Sequence, residues 1–457
     1  MKKFALKTIA VMMIATFGFV TSCNFVDPDL NTDPNNPADV TVNLLLPTAE
    51  VGIAYILGGD AGRYTTIWTQ HHDGVDRQHL AYSVYQLLET DVDAIWGTAY
   101  ATILQDLKLI REKADANGSP YYSGIAKVLT AITLGTLVDL YNDIPYSQAL
   151  QGAENLTPAY DTGAQLYETI QSLLTEAKTD FSQSASVLKP GSDDLVFAGN
   201  MAKWTALANT LQARYWLHLS EIDATAYTKA LAALDAGAIS GNAGSADVNF
   251  FSTTTNANPW FQFDDQRNDV RMGKFFIDLM NSINDPRITV FATPSSGTTY
   301  TGSPAGAPDV AASGFGTLYG SDNSPVPLML FAEAKFIEAE AAFGTNDKAR
   351  AAAAHNAAIA ASLEYSGVSD AAFLTAQASE TDATITLEKI LTHKYIALYT
   401  TQEPFVDWRR KGIPNLQPAD GETRIATRFP YAQSERLYNA PNYKANVTVF
   451  DKVFWDK

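Results

Sequence analysis

Between Ile125 and Tyr141, apolar residues occupy every side of a helical wheel, and only Lys127 and Asp139 carry charge. A helix that is apolar all round has to be buried, either in a large protein or in a membrane. Seventeen residues interrupted by Lys127, Thr130, Thr133, Thr136 and Asp139 make a poor membrane span, which takes about 20 mostly apolar residues. The stretch therefore reads as a core helix over Tyr121–Tyr141 with other helices packed around it. It stops at Asn142-Asp143-Ile144-Pro145, because proline cannot continue a helix and pushes its predecessor out of the α region. At 457 residues and 46% hydrophobic content, the chain is long enough to build a large core around such a helix.

Helical spacing predicts the layers around it. Leu44–Leu57 reads as a first helix. Asp91–Ala116 reads as a second, with Trp96, Tyr100, Ile103, Leu104, Leu107 and Ile110 in register. Asp161 is a plausible N-cap for a helix through Phe181. Gly199–Ile222, Pro327–Phe343, Asp347–Tyr365 and Thr386–Thr400 complete the set, the second of these beginning with proline in its first turn. Two stretches break the pattern. Ile239–Trp260 and Ala292–Pro327 are rich in Gly, Ser, Thr, Asn and Pro, and irregular segments this long are usually functional or disordered. The expected fold class is mostly α.

The first residues are of another kind. Lys2, Lys3 and Lys7 precede the apolar run Thr8–Val20 and then small residues, the pattern of a secretory signal over residues 1–22. The only cysteine, Cys23, follows at once, so no internal disulfide can form. Asn24–Pro37, with three prolines and three aspartates, reads as an extended tether within residues 23–40. The rest, 41–457, is expected to be one domain. The formal charge of −18 falls to −21 without residues 1–22, which carry three lysines and no acid. That balance argues against nucleic acid as a partner and against docking on anionic lipid through a basic face.

Catalytic signatures are missing. The sequence has no G-x-S-x-G elbow, no H-E-x-x-H and no phosphate-binding Walker loop. His71, His72 and His79 lie near Asp73 and Asp76, but without a recognised ligand spacing. The expectation is a binding protein with no metal, no cofactor and no enzymatic activity.

Five blocks, in order, carry a resemblance. They are LVDLYNDIPYSQAL at the end of the core helix, GNMAKWTALANTLQARYWLHLSEI from Gly199, and the Ala-Glu-Ala at Ala339–Ala341. The last two are Asp407-Trp408-Arg409-Arg410 and the set Arg428, Pro430, Tyr431, Glu435, Asn439 and Asn442. Together they resemble the SusD/RagB family of outer-membrane nutrient-binding lipoproteins. Val20-Thr21-Ser22-Cys23 resembles a lipobox, which implies lipidation at Cys23, and the acidic tether resembles the surface-export signal of Bacteroidetes lipoproteins. Asn31-Thr32-Asp33-Pro34 departs from the tether pattern of the SusD-like branch, which has Asn where Asp33 stands.

The resemblance implies a SusD-like helical fold with tetratricopeptide-like helix pairs, and long irregular loops forming a ligand face. It implies an outer-membrane, cell-surface location, an oligosaccharide or peptide ligand, and a SusC-like TonB-dependent transporter over which the protein acts as a lid. The alternatives are a non-nutrient accessory subunit of an outer-membrane complex and, more remotely, an all-α glycoside hydrolase. Arg63–Tyr85 and Asn256–Arg271 resemble the ligand-face loops. Sugar recognition needs flat apolar surface and hydrogen-bonding groups aimed at hydroxyls. Trp68, Tyr82 and Trp260 would supply the first. Gln70, Arg77, Asn258, Gln262 and Arg267 would supply the second. Trp204, Trp408 and Arg409 fall in helix-linked blocks and are expected to be structural.

Overall fold

The core helix spans Pro120–Tyr141, opened by proline at its first turn, where no backbone donor is needed. It is long and apolar enough to cross a bilayer, yet 94% of its most apolar stretch is buried inside this chain. Two glycines set how closely its neighbours approach. A Cβ on Gly124 would lie 2.5 Å from the Phe181 ring, and one on Gly135 would lie 2.2 Å from the Tyr215 hydroxyl. The Gly163–Phe181 and Met201–His218 helices, which carry those rings, therefore pack directly on its backbone.

This computed structural model describes residues 40–253 and 255–457, and its elements from Val42 onward form one compact unit. The fold is mostly α. Helix pairs follow one another: Gln105–Asn117 with the core helix, Met201–His218 with Ala226–Asp235, and Phe331–Gly344 with Lys348–Tyr365. Side-chain caps set several helix starts. Asn200, Asp347 and Thr386 each accept a backbone N–H three residues on. At the next start Thr162, rather than Asp161, is the cap. Asp161 instead takes the Tyr146 and Ser147 N–H groups and so closes the turn that ends the core helix.

Two small antiparallel sheets tie distant segments together. In one, β1 (His72–Gly74) pairs with β3 (Val270–Met272), His72 opposite Met272. In the other, β2 (Ala246–Val248) pairs with β4 (Val326–Met329), with a register shift beside Asp247. Pro327 sits opposite Asp247 in β4, so the expected proline-led helix begins only at Phe331. Proline is tolerated in a strand where the ladder is already irregular.

Other boundaries moved for physical reasons. The expected helix Asp91–Ala116 is Asp93–Gly97, a π-helical Thr98–Leu104 and Gln105–Asn117 in succession. Arg63–Tyr85 contains two helices, Asp60–Trp68 and Arg77–Ser83, flanking β1. In the first of them every residue from Tyr64 to Trp68 is buried, so no polar face exists to produce a period. The Ala292–Pro327 stretch is ordered on β3: Met272 donates to the Ser313 carbonyl, Ser303 to Met272, and the Ser303 hydroxyl to Asp73.

Candidate ligand-binding groove

The eight residues proposed for ligand contact separate into two groups. Trp68 is fully buried; its indole N–H donates to the Tyr82 carbonyl, and its ring lies against Phe405 and Phe429. Tyr82 is buried against Tyr64. Trp260 is buried between His72 and Phe315. None of these three rings offers a face to solvent, so they act here as packing, because each lies on the side of its helix that other aromatic residues cover. Asn258 is also buried. It caps the Pro259–Arg267 helix by accepting from the Trp260 and Phe261 N–H groups, and it donates to the Ser324 carbonyl. Gln70 is buried and donates to the Gln417 carbonyl. Arg77 is half-exposed, but its guanidinium is engaged with Asp269 and the Arg267 carbonyl.

Gln262 and Arg267 are different. They line an open groove of about 320 Å³ together with Tyr55, Gly59, Asp60, Arg63, Pro259, Phe263 and Gln266. That size falls in the usual range of small-ligand sites, about 300–1,000 Å³. One wall is the Pro259–Arg267 helix. Positions 259, 262, 263, 266 and 267 share one helical face, and that face is turned to the groove. The other wall is the junction of Val42–Leu57 with Asp60–Trp68. There Gly59 lets the chain turn, because a Cβ on it would lie 2.1 Å from the Tyr55 carbonyl oxygen.

The groove combines flat rings with directed polar groups. Tyr55 is 37% exposed and is braced edge-on by the buried Phe250. Gln262 donates to the Tyr55 hydroxyl at 3.0 Å and to the Ala257 carbonyl at 2.6 Å, which holds its amide in place. The Arg63 guanidinium stacks 4.2 Å from the centre of the Phe263 ring and pairs with Asp60. His79 backs Phe263 with ring centres 4.9 Å apart. Burial first, then the nearby Arg63, Arg267 and Arg77, lowers its pKa to about 3, so it is neutral. Tyr55 went unselected in the sequence because it sits in a regular helix. Arg63 and Phe263 fall within the Arg63–Tyr85 and Asn256–Arg271 stretches, beside the larger Trp68 and Trp260.

A second, interior cavity of about 30 Å³ has Asp139, Arg214, Tyr215, Gln402 and Glu403 in its wall. It has room for about one water. It adjoins a buried ion network in which Arg214 pairs with Glu333 and Glu403, and His218 with Glu403. Arg409, expected to be structural, donates to the Asp139 and Thr427 carbonyls, and Trp204 is buried with its N–H on Asp194. Among the described residues no group of three or more His, Cys, Asp or Glu side chains is arranged to hold a metal. His71 bonds the Tyr395 carbonyl, and His72 lies between Thr66 and Tyr399. Cys23 and the tether through residue 39 lie outside the described residues.

Comparison with known proteins follows this geometry. A SusD-like family profile, described as starch-binding and associating with the outer membrane, matches residues 34–432. A chitin-binding SusD homolog from Flavobacterium johnsoniae superposes with a TM-score of 0.78 at 23% identity, covering 90% of this chain and 98% of its own. A SusD/RagB family protein from Bacteroides thetaiotaomicron superposes with a TM-score of 0.76 at 21% identity, covering 92% and 99%. A comparison with curated proteins finds no match.

Proposed function

This chain belongs to the SusD-like family of starch-binding proteins that associate with the outer membrane, and on that premise we propose that it binds an oligosaccharide in the groove between Tyr55 and Phe263 and presents it for uptake. The observation that carries the reading is the groove itself. Two aromatic rings, two glutamine amides and two guanidiniums line one open channel, while Trp68, Tyr82 and Trp260 are packed inside. Rings cover the apolar faces of sugars, and amides and guanidiniums meet their hydroxyls. Two structural neighbours are named chitin-binding, which favours a glycan over a peptide. The protein acts by binding, not by catalysis.

The finer parts of the reading rest on the sequence. Cys23 carries the lipid, the Asp- and Pro-rich stretch after it tethers the body, and a SusC-like TonB-dependent barrel is the partner. The helical body then closes on the barrel as a hinged lid.

Calorimetry against a glycan panel tests the ligand site. Tyr55→Ala and Gln262→Ala should each weaken binding, the ring by about 1 kcal/mol, with melting temperature unchanged. Binding that is indifferent to both substitutions places the ligand elsewhere.

A further inference from the structure

We infer that the groove selects acidic oligosaccharides, those whose sugars carry carboxylates, over neutral ones of the same shape; the inference rests on the groove being the ligand site. The chain as a whole carries a formal charge of −18, yet the groove is lined by Arg63 and Arg267 against a single acid, Asp60. Asp60 is already taken by a terminal nitrogen of Arg63. The Nε of Arg63 is buried and has no partner, and a buried N–H left unmet is costly. Arg267 is exposed at the end of the same wall, and its guanidinium makes no ion pair or hydrogen bond among the described residues.

The acids nearby do not cancel this charge. Asp264 and Asp265 are on the same helix, but the helical period turns them away from the face formed by 259, 262, 263, 266 and 267. Asp269, the obvious partner for Arg267, is occupied by Arg77, which also donates to the Arg267 carbonyl. His79, behind the wall, is neutral and adds nothing of either sign. At physiological salt, surface acids more than about 8 Å away are largely screened. What remains at the groove is the exposed, unpaired Arg267 guanidinium, in a ring-lined channel whose other cation, Arg63, already pairs with Asp60. Guanidinium matches carboxylate in planar, two-point geometry, a pairing a neutral hydroxyl does not reproduce.

The test compares an acid with its own ester. Trimers of galacturonate and of alginate, and their methyl esters, are titrated into the full protein at pH 7. The ester keeps shape and hydroxyls and removes only the charge. At least one acid should bind about tenfold or more tightly than its ester, and Arg267→Gln should bring that acid down to the affinity of the ester. The inference is overturned if neither acid exceeds its ester, or if the preference survives Arg267→Gln. Failure of the groove reading looks different: whichever glycan binds, acidic or neutral, Tyr55→Ala leaves its affinity unchanged.

Discussion

His218 is fully buried between two carboxylates, with Nε2 3.0 Å from Glu403 and Nδ1 3.5 Å from Asp139. Burial alone would lower its pKa, but Glu403 and then Asp139 outweigh it and raise the value to about 9. A raised pKa means the folded state holds the proton more tightly than the unfolded one. Its stabilisation is therefore complete below about pH 6.5 and is lost as pH climbs through about 9, a total of about 3 kcal/mol. Thermal melts from pH 6 to pH 9.5 should fall in that window, and a flat profile would rule out the charged histidine. The tryptophans behave differently from groove residues. Trp68→Ala and Trp260→Ala should each cost about 3–5 kcal/mol of stability, as buried aromatic truncations do, and a chemical melt measures this directly. An unchanged denaturation midpoint for either would place that ring at the surface. Residue type was legible in the sequence and burial was not. Trp68 and Tyr55 lie one short helix apart, and only the covering residues Phe405 and Phe429, more than 300 positions on, send Trp68 inside.

At the scale of elements, the core helix is the best-marked feature. Its uniform apolarity and its Asp-Ile-Pro stop are local, so both could be read directly, whereas its start is at Pro120, one residue before the expected Tyr121. Its glycines carry the less visible information. Replacing Gly by Ala inside a helix normally stabilises by up to about 1 kcal/mol. At Gly135 the sign should reverse, because the new methyl would meet the Tyr215 hydroxyl at 2.2 Å and its ring at 2.3 Å. We expect Gly135→Ala to destabilise by about 1–3 kcal/mol, the usual cost of overpacking. Urea denaturation decides between the signs, and a stabilised variant would show that Tyr215 moves freely. The Arg63–Tyr85 segment was the element hardest to read. A buried helix, a three-residue strand and a second short helix leave no periodic trace over so few residues.

For the whole molecule, the Asp407-Trp408-Arg409-Arg410 block joins the C-terminal part to the helical layers. Arg410 pairs with Glu340 at 2.9 Å and Asp407 at 2.6 Å, and Lys394 holds Asp407 at 2.8 Å, all buried. Removing one partner strands the other charges, so Arg410→Ala should cost about 3–5 kcal/mol, read as a loss of soluble folded protein or a lowered melt. Wild-type stability in that variant would mean the network is solvated. Cys23→Ser should release the protein from the membrane fraction; retention after fractionation would overturn the lipid anchor. The sequence by itself determined the mostly α class, most helices, and the family, because these depend on local spacing and ordered motifs. Only the tertiary structure decided which aromatics face outward, that Arg77 neutralises Asp269, and that Tyr55 from the first helix meets Gln262 across 207 positions. Those outcomes depend on which surfaces cover one another. Long-range contact of that kind leaves no periodic mark in the chain that makes it.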